Sequence, residues 1–369
     1  MSAKKYLVVR LGAMGDVLHA MPAVAALRHA DPEAQIHWVV DPRWLPLLAA
    51  TADAAPRSDA MPLVDKFHLA DTRAWTQKPF SPVTLESVLD LRRELREHNF
   101  DAALDFQGSI RSAVIGRFAQ TQRLVGSDDP RERPARWLYS ERVQTHMSHV
   151  VDQALEVASV GCNTSLNAAN TLLPLDMDAE QWCAQMLAQD SSGHLDLAVV
   201  TAGAGWGAKR WPAERYGEVA AGLADAGLAV YVNCGPGEEE MARKVVESSG
   251  KRARVLSASL PHLMAMLRRA RIFIGGDTGP LHLAAALRVP VIGLYGPTDP
   301  ERNGPYGTQS IVLRHAISRR DHTRHAATEA GLMEISARAV LDAARNLLQQ
   351  SKSGLQTAGM HGMTLVSEF

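Results

Sequence analysis

Cysteine is scarce: Cys162, Cys183 and Cys234 are the three in 369 residues, and none stands at the spacing of a pair. That argues against a disulfide framework and a cysteine zinc site, and it suits a reducing compartment. An excess of charge of one sign is also missing. Lys and Arg total 39 against 40 Asp and Glu, a formal net charge of -1, so no global field draws the chain to nucleic acid or anionic lipid. Nucleic acid is not an expected partner, and a phosphorylated one must be met by a local patch. Long apolar runs are lacking too. The opening MSAKKYLVVRLGAMGD is interrupted at Arg10, too early for a secretory signal, and nothing approaches the ~20 apolar residues of a membrane span. The expected location is cytoplasmic, at most peripheral to a membrane.

What is present is aliphatic material for two cores: 46% apolar and 21% charged residues, in a chain longer than one core usually serves. Residues 6–10 form a β-rich run, 11–15 a glycine-bearing turn, and 16–28 an apolar-periodic stretch that predicts a helix. Strands are expected at 35–40 and 102–106 with a helix at 83–98 between them. The pattern restarts with a strand at 195–200, a glycine-rich loop at 203–207, a helix at 212–226 and a strand at 228–233. Strand signals at 271–274 and 291–295 flank a helical 280–286. Alternation of this kind predicts doubly wound parallel α/β sheets. The expected division is residues 1–176 and 177–350, with a last amphipathic helix at 335–348 and a loose tail at 351–369.

Three stretches carry candidate chemistry. The turn 11–16 follows a strand, where open α/β sheets gather ligands, and ends on Asp16. Its carboxylate reads either as a helix cap for residues 17–19 or as a general base. The loop GAGWGAKRWP precedes a helix and carries Lys209; its amides and the lysine suit a diphosphate. It is not a GxxxxGK[ST] loop, because Arg210 stands where the hydroxyl residue belongs. In GGDTGPLHLAAAL, Asp277 and Thr278 open a helix at Pro280, whose first-turn amides offer an anion site. His282 sits one turn in, where a packed, hydrogen-bonded histidine is the commoner role. His315, Asp321, His322 and His325 form a His/Asp-rich run, but their spacing does not set two ligands on one helix face, and no metal site is expected there.

The segments MGDVLHAMPA, the loop with Lys209, GDTGPLHLAAAL and YGPTDP, in this order and separation, resemble glycosyltransferase family 9, the bacterial lipopolysaccharide heptosyltransferases. The resemblance spans roughly residues 4–348. It implies a GT-B fold, two Rossmann-like domains facing across a cleft, the N-terminal one for acceptor and the C-terminal one for donor, with the last helix crossing back to the N-terminal domain. It implies inverting transfer from ADP-L-glycero-β-D-manno-heptose to the Kdo sugar of the lipid A inner core, by a monomer at the inner face of the inner membrane.

The same resemblance assigns residues. Asp16 takes the acceptor proton and Lys209 neutralises the donor phosphates. Thr201, Glu238, Glu239, Asp277, Thr278, Gly279 and His282 bind the donor, with Glu238 or Glu239 at the ribose or adenine. Gly15, Arg73, Lys78, Gln107 and His149 serve the acceptor. Gln153 stands where the family has a second basic residue, and Arg111, Arg123, Arg131, Arg133 and Arg136 offer phosphate contacts or a solvated surface instead. No cofactor is required, and Mg2+ is at most stimulatory. The rival expectations are another family 9 sugar transferase, a nucleotide-sugar 2-epimerase of the same fold, or a dinucleotide oxidoreductase. The last lacks support, since neither turn shows GxGxxG with an acidic residue ~20 positions on.

Overall fold

The computed structural model describes residues 3–190, 196–320, 327–352 and 363–366. The chain divides into two compact units, Met1–Leu175 and Asp176–Phe369. The first carries β1 (Lys5–Val9), α1 (Met14–Ala30), β2 (Gln35–Val40), β3 (Lys66–Leu69), α2 (Thr72–Gln77), α3 (Pro82–Arg96), β4 (Ala102–Asp105), α4 (Ile110–Phe118), β5 (Leu124–Ser127), β6 (Glu141–Val143) and α5 (Val150–Cys162). The second carries α6 (Met177–Ala188), β7 (Asp196–Thr201), α7 (Ala213–Asp225), β8 (Leu228–Cys234), α8 (Glu239–Ser248), β9 (Ala253–Ser257), α9 (Leu260–Arg268), β10 (Ala270–Gly276), α10 (Gly279–Ala286), β11 (Val291–Tyr295), α11 (Pro300–Asn303), β12 (Ser310–Arg314), α12 (Ala330–Glu334), α13 (Ala337–Lys352) and β13 (Met363–Val366).

The first sheet runs β3-β2-β1-β4-β5-β6 and the second β13-β12-β11-β10-β7-β8-β9, with the named strands pairing in parallel. Both follow the doubly wound order in which the chain steps outward one way from its first strand and then returns to extend the other way. The central strands explain themselves by composition. Leu7, Val8 and Val9 in β1 and Val199 and Val200 in β7 are fully buried, as strands covered by helices on both faces must be. Helix starts follow local chemistry: Ser81 accepts the Thr84 amide hydrogen ahead of Pro82, and Ser259 accepts that of His262 ahead of Pro261.

α1 is buried from Val17 through Leu27. It packs along α5, and a helix covered on all sides has a sequence that is apolar almost all round rather than striped. α13 buries Val340, Ala344 and Leu347 in the second unit's core with Trp211 and Tyr216. Within the segment expected to be a loose tail, Met363–Val366 instead adds β13 alongside β12, continuing the row of strands by backbone pairing. Among the described residues no helix is long and apolar enough to cross a membrane.

Candidate functional site

In each sheet the order reverses beside its first strand, and the loops leaving the carboxyl ends of the two strands there open a crevice. In the first unit these are the loops after β1 and β4. Arg10 directly follows β1, and its guanidinium spans both loops: it donates to the Phe106 carbonyl, through Nε to the Asp16 carbonyl at 3.1 Å, and pairs through Nη2 with Asp16 Oδ1 at 2.9 Å. Asp16 is the third residue of α1, and its Oδ2 accepts the Ala13 amide hydrogen at 3.0 Å. The expected capping role therefore exists in altered form. The carboxylate reaches back to the residue before the helix rather than forward to residues 17–19, while its side chain stays 38% exposed.

Gly12 has φ +153°, and a Cβ there would stand 2.5 Å from Trp44 Nε1, so this turn needs glycine. Gly15 is the second residue of α1. Gln107 follows β4, and its Oε1 accepts the amide hydrogens of Leu11 at 3.1 Å and Gly12 at 3.4 Å. It thus holds the turn that leads to Asp16. Behind it Asp105, fully buried, accepts from the Gln107 and Gly108 amides, the Ser112 hydroxyl and the Tyr139 hydroxyl.

His149 precedes α5, where its Nδ1 accepts the Val151 amide hydrogen, and its ring meets His19 edge-on at 5.7 Å. Because His19 lies one turn beyond Asp16 on α1, His149 is brought beside the start of that helix. Arg73 and Lys78 are exposed on α2 and at its end; neither belongs to the network around Asp16. Arg111 reaches α2 at Thr76 Oγ1, Arg123 forms a two-point pair with Glu141, and Arg136 pairs with Asp128. Of the five arginines offered as phosphate contacts, Arg123 and Arg136 thus have acidic partners, whereas Arg131 and Arg133 are exposed.

In the second unit the crevice lies between β7 and β10. Lys209, from the loop after β7, places Nζ on Asp277 Oδ2 and 4.4 Å from the centroid of Trp206. Asp277, the first residue after β10, receives His282 Nε2 at Oδ1, 3.1 Å away. The three side chains are 11%, 8% and 6% exposed. Burial alone would raise the Asp277 carboxyl, but the His282 hydrogen bond and the Lys209 charge outweigh it and hold the group well below the usual carboxylate range. His282 thus takes the packed, hydrogen-bonded role, bracing the acid that positions the lysine.

Thr278 precedes α10, yet its hydroxyl donates back to the Gly276 carbonyl at 3.3 Å and caps nothing. In the first turn Pro280 has no N–H and the Leu281 amide donates to the Thr278 carbonyl at 3.1 Å, which leaves the Gly279 amide for an external anion. Thr201 closes β7, buried, with Oγ1 accepting from Asn233 Nδ2 at 3.2 Å. The two glutamates separate: Glu238 turns inward, taking the Gly235 amide hydrogen at 2.9 Å and lying where a Cβ on Gly203 would fall 2.1 Å away. Glu239 is exposed and takes the Gly237 amide hydrogen. Arg10, Asp105 and Trp206 are the contributors that sequence reasoning missed. Arg10 alone had a signal, a charge ending a buried strand. Asp321, His322 and His325 lie outside the described residues.

The model of glycosyltransferase family 9 (heptosyltransferase) matches residues 88–332. Lipopolysaccharide heptosyltransferase 1 of Escherichia coli K12 is 28% identical over 84% of this chain and 93% of its own length. The protein of that name from Pseudomonas aeruginosa is 26% identical over 84% and 83%. The solved E. coli heptosyltransferase WaaC with ADP is 27% identical, with a TM-score of 0.74 over 93% of this chain and 99% of that one. A putative UDP-N-acetylglucosamine 2-epimerase from Listeria monocytogenes, at 12% identity and a TM-score of 0.53, shares the fold alone. The GT-B fold class expected from the sequence is thus the one found, and the chain belongs to glycosyltransferase family 9, the heptosyltransferases.

Proposed function

We propose that this enzyme transfers heptose from ADP-L-glycero-β-D-manno-heptose to the Kdo sugar of the lipid A inner core, with inversion. The observation that carries the reading is the Lys209–Asp277–His282 cluster beside the uncapped start of α10. It is a preorganised receptor for a diphosphate, in a chain similar along most of its length to a heptosyltransferase solved with ADP-2-deoxy-2-fluoro heptose.

Lys209 and the Gly279 amide at the start of α10 stabilise the charge that develops on departing ADP, the contribution that is commonly largest in such transfers. Asp16, held at two points with its side chain still accessible, accepts the proton of the attacking hydroxyl as the bond to the anomeric carbon forms. Arg73, Lys78 and His149 contribute to the acceptor side. Because Lys209 and the Gly279 amide carry the phosphate charge, Mg2+ stimulates at most. The lipid acceptor places the reaction at the cytoplasmic surface of the inner membrane.

The test is purified enzyme with ADP-heptose and Kdo-lipid A, followed by ADP release and mass spectrometry of the lipid. One added heptose on Kdo is the expected product. Free epimerised nucleotide sugar, or transfer only from another donor, would replace this reading with one of its rivals.

A further inference from the structure

Away from both crevices, three imidazoles converge in the first unit. His37 on β2 and His68 on β3 leave the same face of the sheet, because the register sets Lys66 opposite His37 and His68 opposite Val39. His98 comes from the turn after α3. The ring centroids are 5.2 Å apart for His37 and His68, 4.5 Å for His37 and His98, and 5.6 Å for His68 and His98. One ligating atom from each residue lies within 4.8 Å of the other two. His37 and His68 are buried, and His98 is half-buried.

Their nitrogens are oriented by neighbours. Glu94 Oε1, on α3, lies 2.9 Å from His68 Nδ1, an ion-pair distance at an angle outside that of a hydrogen bond. A carboxylate there favours the tautomer with the proton on Nδ1, leaving the Nε2 lone pair directed at His37 Nδ1, 3.0 Å away. A carboxylate behind a histidine is the arrangement that fixes tautomer and ring direction in metal-ligating imidazoles. Lys66 Nζ, which can only donate, lies 3.2 Å from His98 Nε2, so that nitrogen also presents a lone pair.

We propose that His37, His68 and His98 bind one first-row divalent cation of the zinc class, with Glu94 as the positioning residue behind His68. Three imidazoles suit zinc and its neighbours, and the fourth position opens toward Lys66, whose half-exposed chain withdraws to Glu94 or to solvent as the ion enters. Zinc–nitrogen bonds of about 2.0–2.1 Å need nitrogens roughly 3.3 Å apart. The His37–His68 pair opens slightly and the half-buried His98 ring turns inward to meet this. As the ion enters, the His37 proton moves from Nδ1 to Nε2, so that Nδ1 becomes a ligand nitrogen with no net release of a proton. The ion would tie edge strand β3 and the α3 turn to β2. The site stands apart from the transfer chemistry: His37 lies opposite Leu7 within β1, whereas Asp16 lies beyond the carboxyl end of that strand. The proposal does not depend on the sugar transferred.

Untagged, chelator-treated full-length protein would be titrated with Co2+, reading the visible d–d absorption, and then with Zn2+ as competitor. The expected result is one Co2+ per chain, displaced by Zn2+, together with a rise in Tm at saturating Zn2+. His98→Ala and the shape-conserving His98→Gln should each weaken Co2+ binding at least ~10-fold and abolish the Tm rise. Both should leave transfer activity and the far-ultraviolet circular dichroism unchanged. Glu94→Gln should weaken binding about 10- to 100-fold without abolishing it, while His146→Ala changes nothing. Absence of Co2+ absorption in the wild type, or equal binding by the wild type and both His98 variants, overturns the site.

Discussion

Arg10 and Asp16 form a single unit: the guanidinium pairs with one carboxylate oxygen at 2.9 Å and donates to the same residue's backbone carbonyl at 3.1 Å. The other oxygen takes the Ala13 amide hydrogen. A carboxylate fixed at both oxygens has lost most of its rotamer freedom before substrate arrives, which is what a positioned base requires.

That arrangement separates capping from catalysis. Asp16→Asn keeps an oxygen for the Ala13 amide but cannot take a proton. Transfer is expected to fall about 10²- to 10⁴-fold in Asp16→Ala and Asp16→Asn alike, the range ascribed to one general base, with ADP affinity nearly unchanged by calorimetry. If Asp16→Asn turns over like the wild type, the carboxylate is only a helix cap.

Lys209 predicts a different signature. Its partner is the diphosphate both before and during transfer, so Lys209→Ala should weaken ADP binding roughly 10- to 100-fold, the worth of one charge-assisted contact. It should lower kcat as well. Isothermal titration with ADP and steady-state kinetics read the two effects separately. Unchanged ADP affinity with a lowered kcat would show that the lysine does not hold the ground-state diphosphate.

Acid sensitivity follows from Asp277. Its carboxyl is held well below the usual carboxylate range in the folded chain and titrates near 3.9 when unfolded. A depressed folded value means the stabilisation is fully present above about pH 4–5 and is lost as pH falls below that. Denaturant titrations between about pH 2 and 7 should show wild-type stability falling more steeply than that of Asp277→Asn below about pH 4, with parallel curves above pH 5. Parallel curves throughout would mean that the ion pair contributes nothing to the linkage.

The strands and helices that build both crevices could be read from alternation alone, because β1, β7 and β10 are short apolar runs each followed by a glycine-bearing turn. Asp16, Lys209 and Asp277 stood out for the same reason: each is a charge at the end of such a turn. The edge strand β3 did not, since four residues reading KFHL carry no period, and β13 hid in a segment of weak pattern. Partners were less legible still. Arg10 to Phe106 and Asp105 to Tyr139 join residues 96 and 34 positions apart, a proximity created by the sheet order. His37, His68 and His98 were invisible for that reason also, because each alone is an ordinary histidine and only β2–β3 pairing and the α3 turn assemble them.

Asp105 makes the last prediction, because its four donors come from three separate places: the Gln107 and Gly108 amides of the turn after β4, Ser112 on α4 and Tyr139. Removing the acceptor leaves several buried donors without partners, each costing about 1–3 kcal/mol. Asp105→Ala should therefore destabilise the first unit by roughly 3 kcal/mol or more, read as a lower denaturant midpoint. Asp105→Asn retains one carbonyl oxygen for the two amides, and the hydroxyls can turn to accept from its new NH2 group, so its loss should be clearly smaller. The kinetic consequence follows through Gln107. Once its backbone shifts, its carboxamide no longer braces the Leu11 and Gly12 amides, and the turn carrying Asp16 loosens. Asp105→Ala should accordingly lower kcat while leaving ADP affinity intact, whereas Asp105→Asn, which keeps the oxygen that holds the Gln107 amide, should stay nearer wild-type turnover. A variant that loses ADP binding as much as turnover would show that the network supports the whole fold rather than the turn that aims the base.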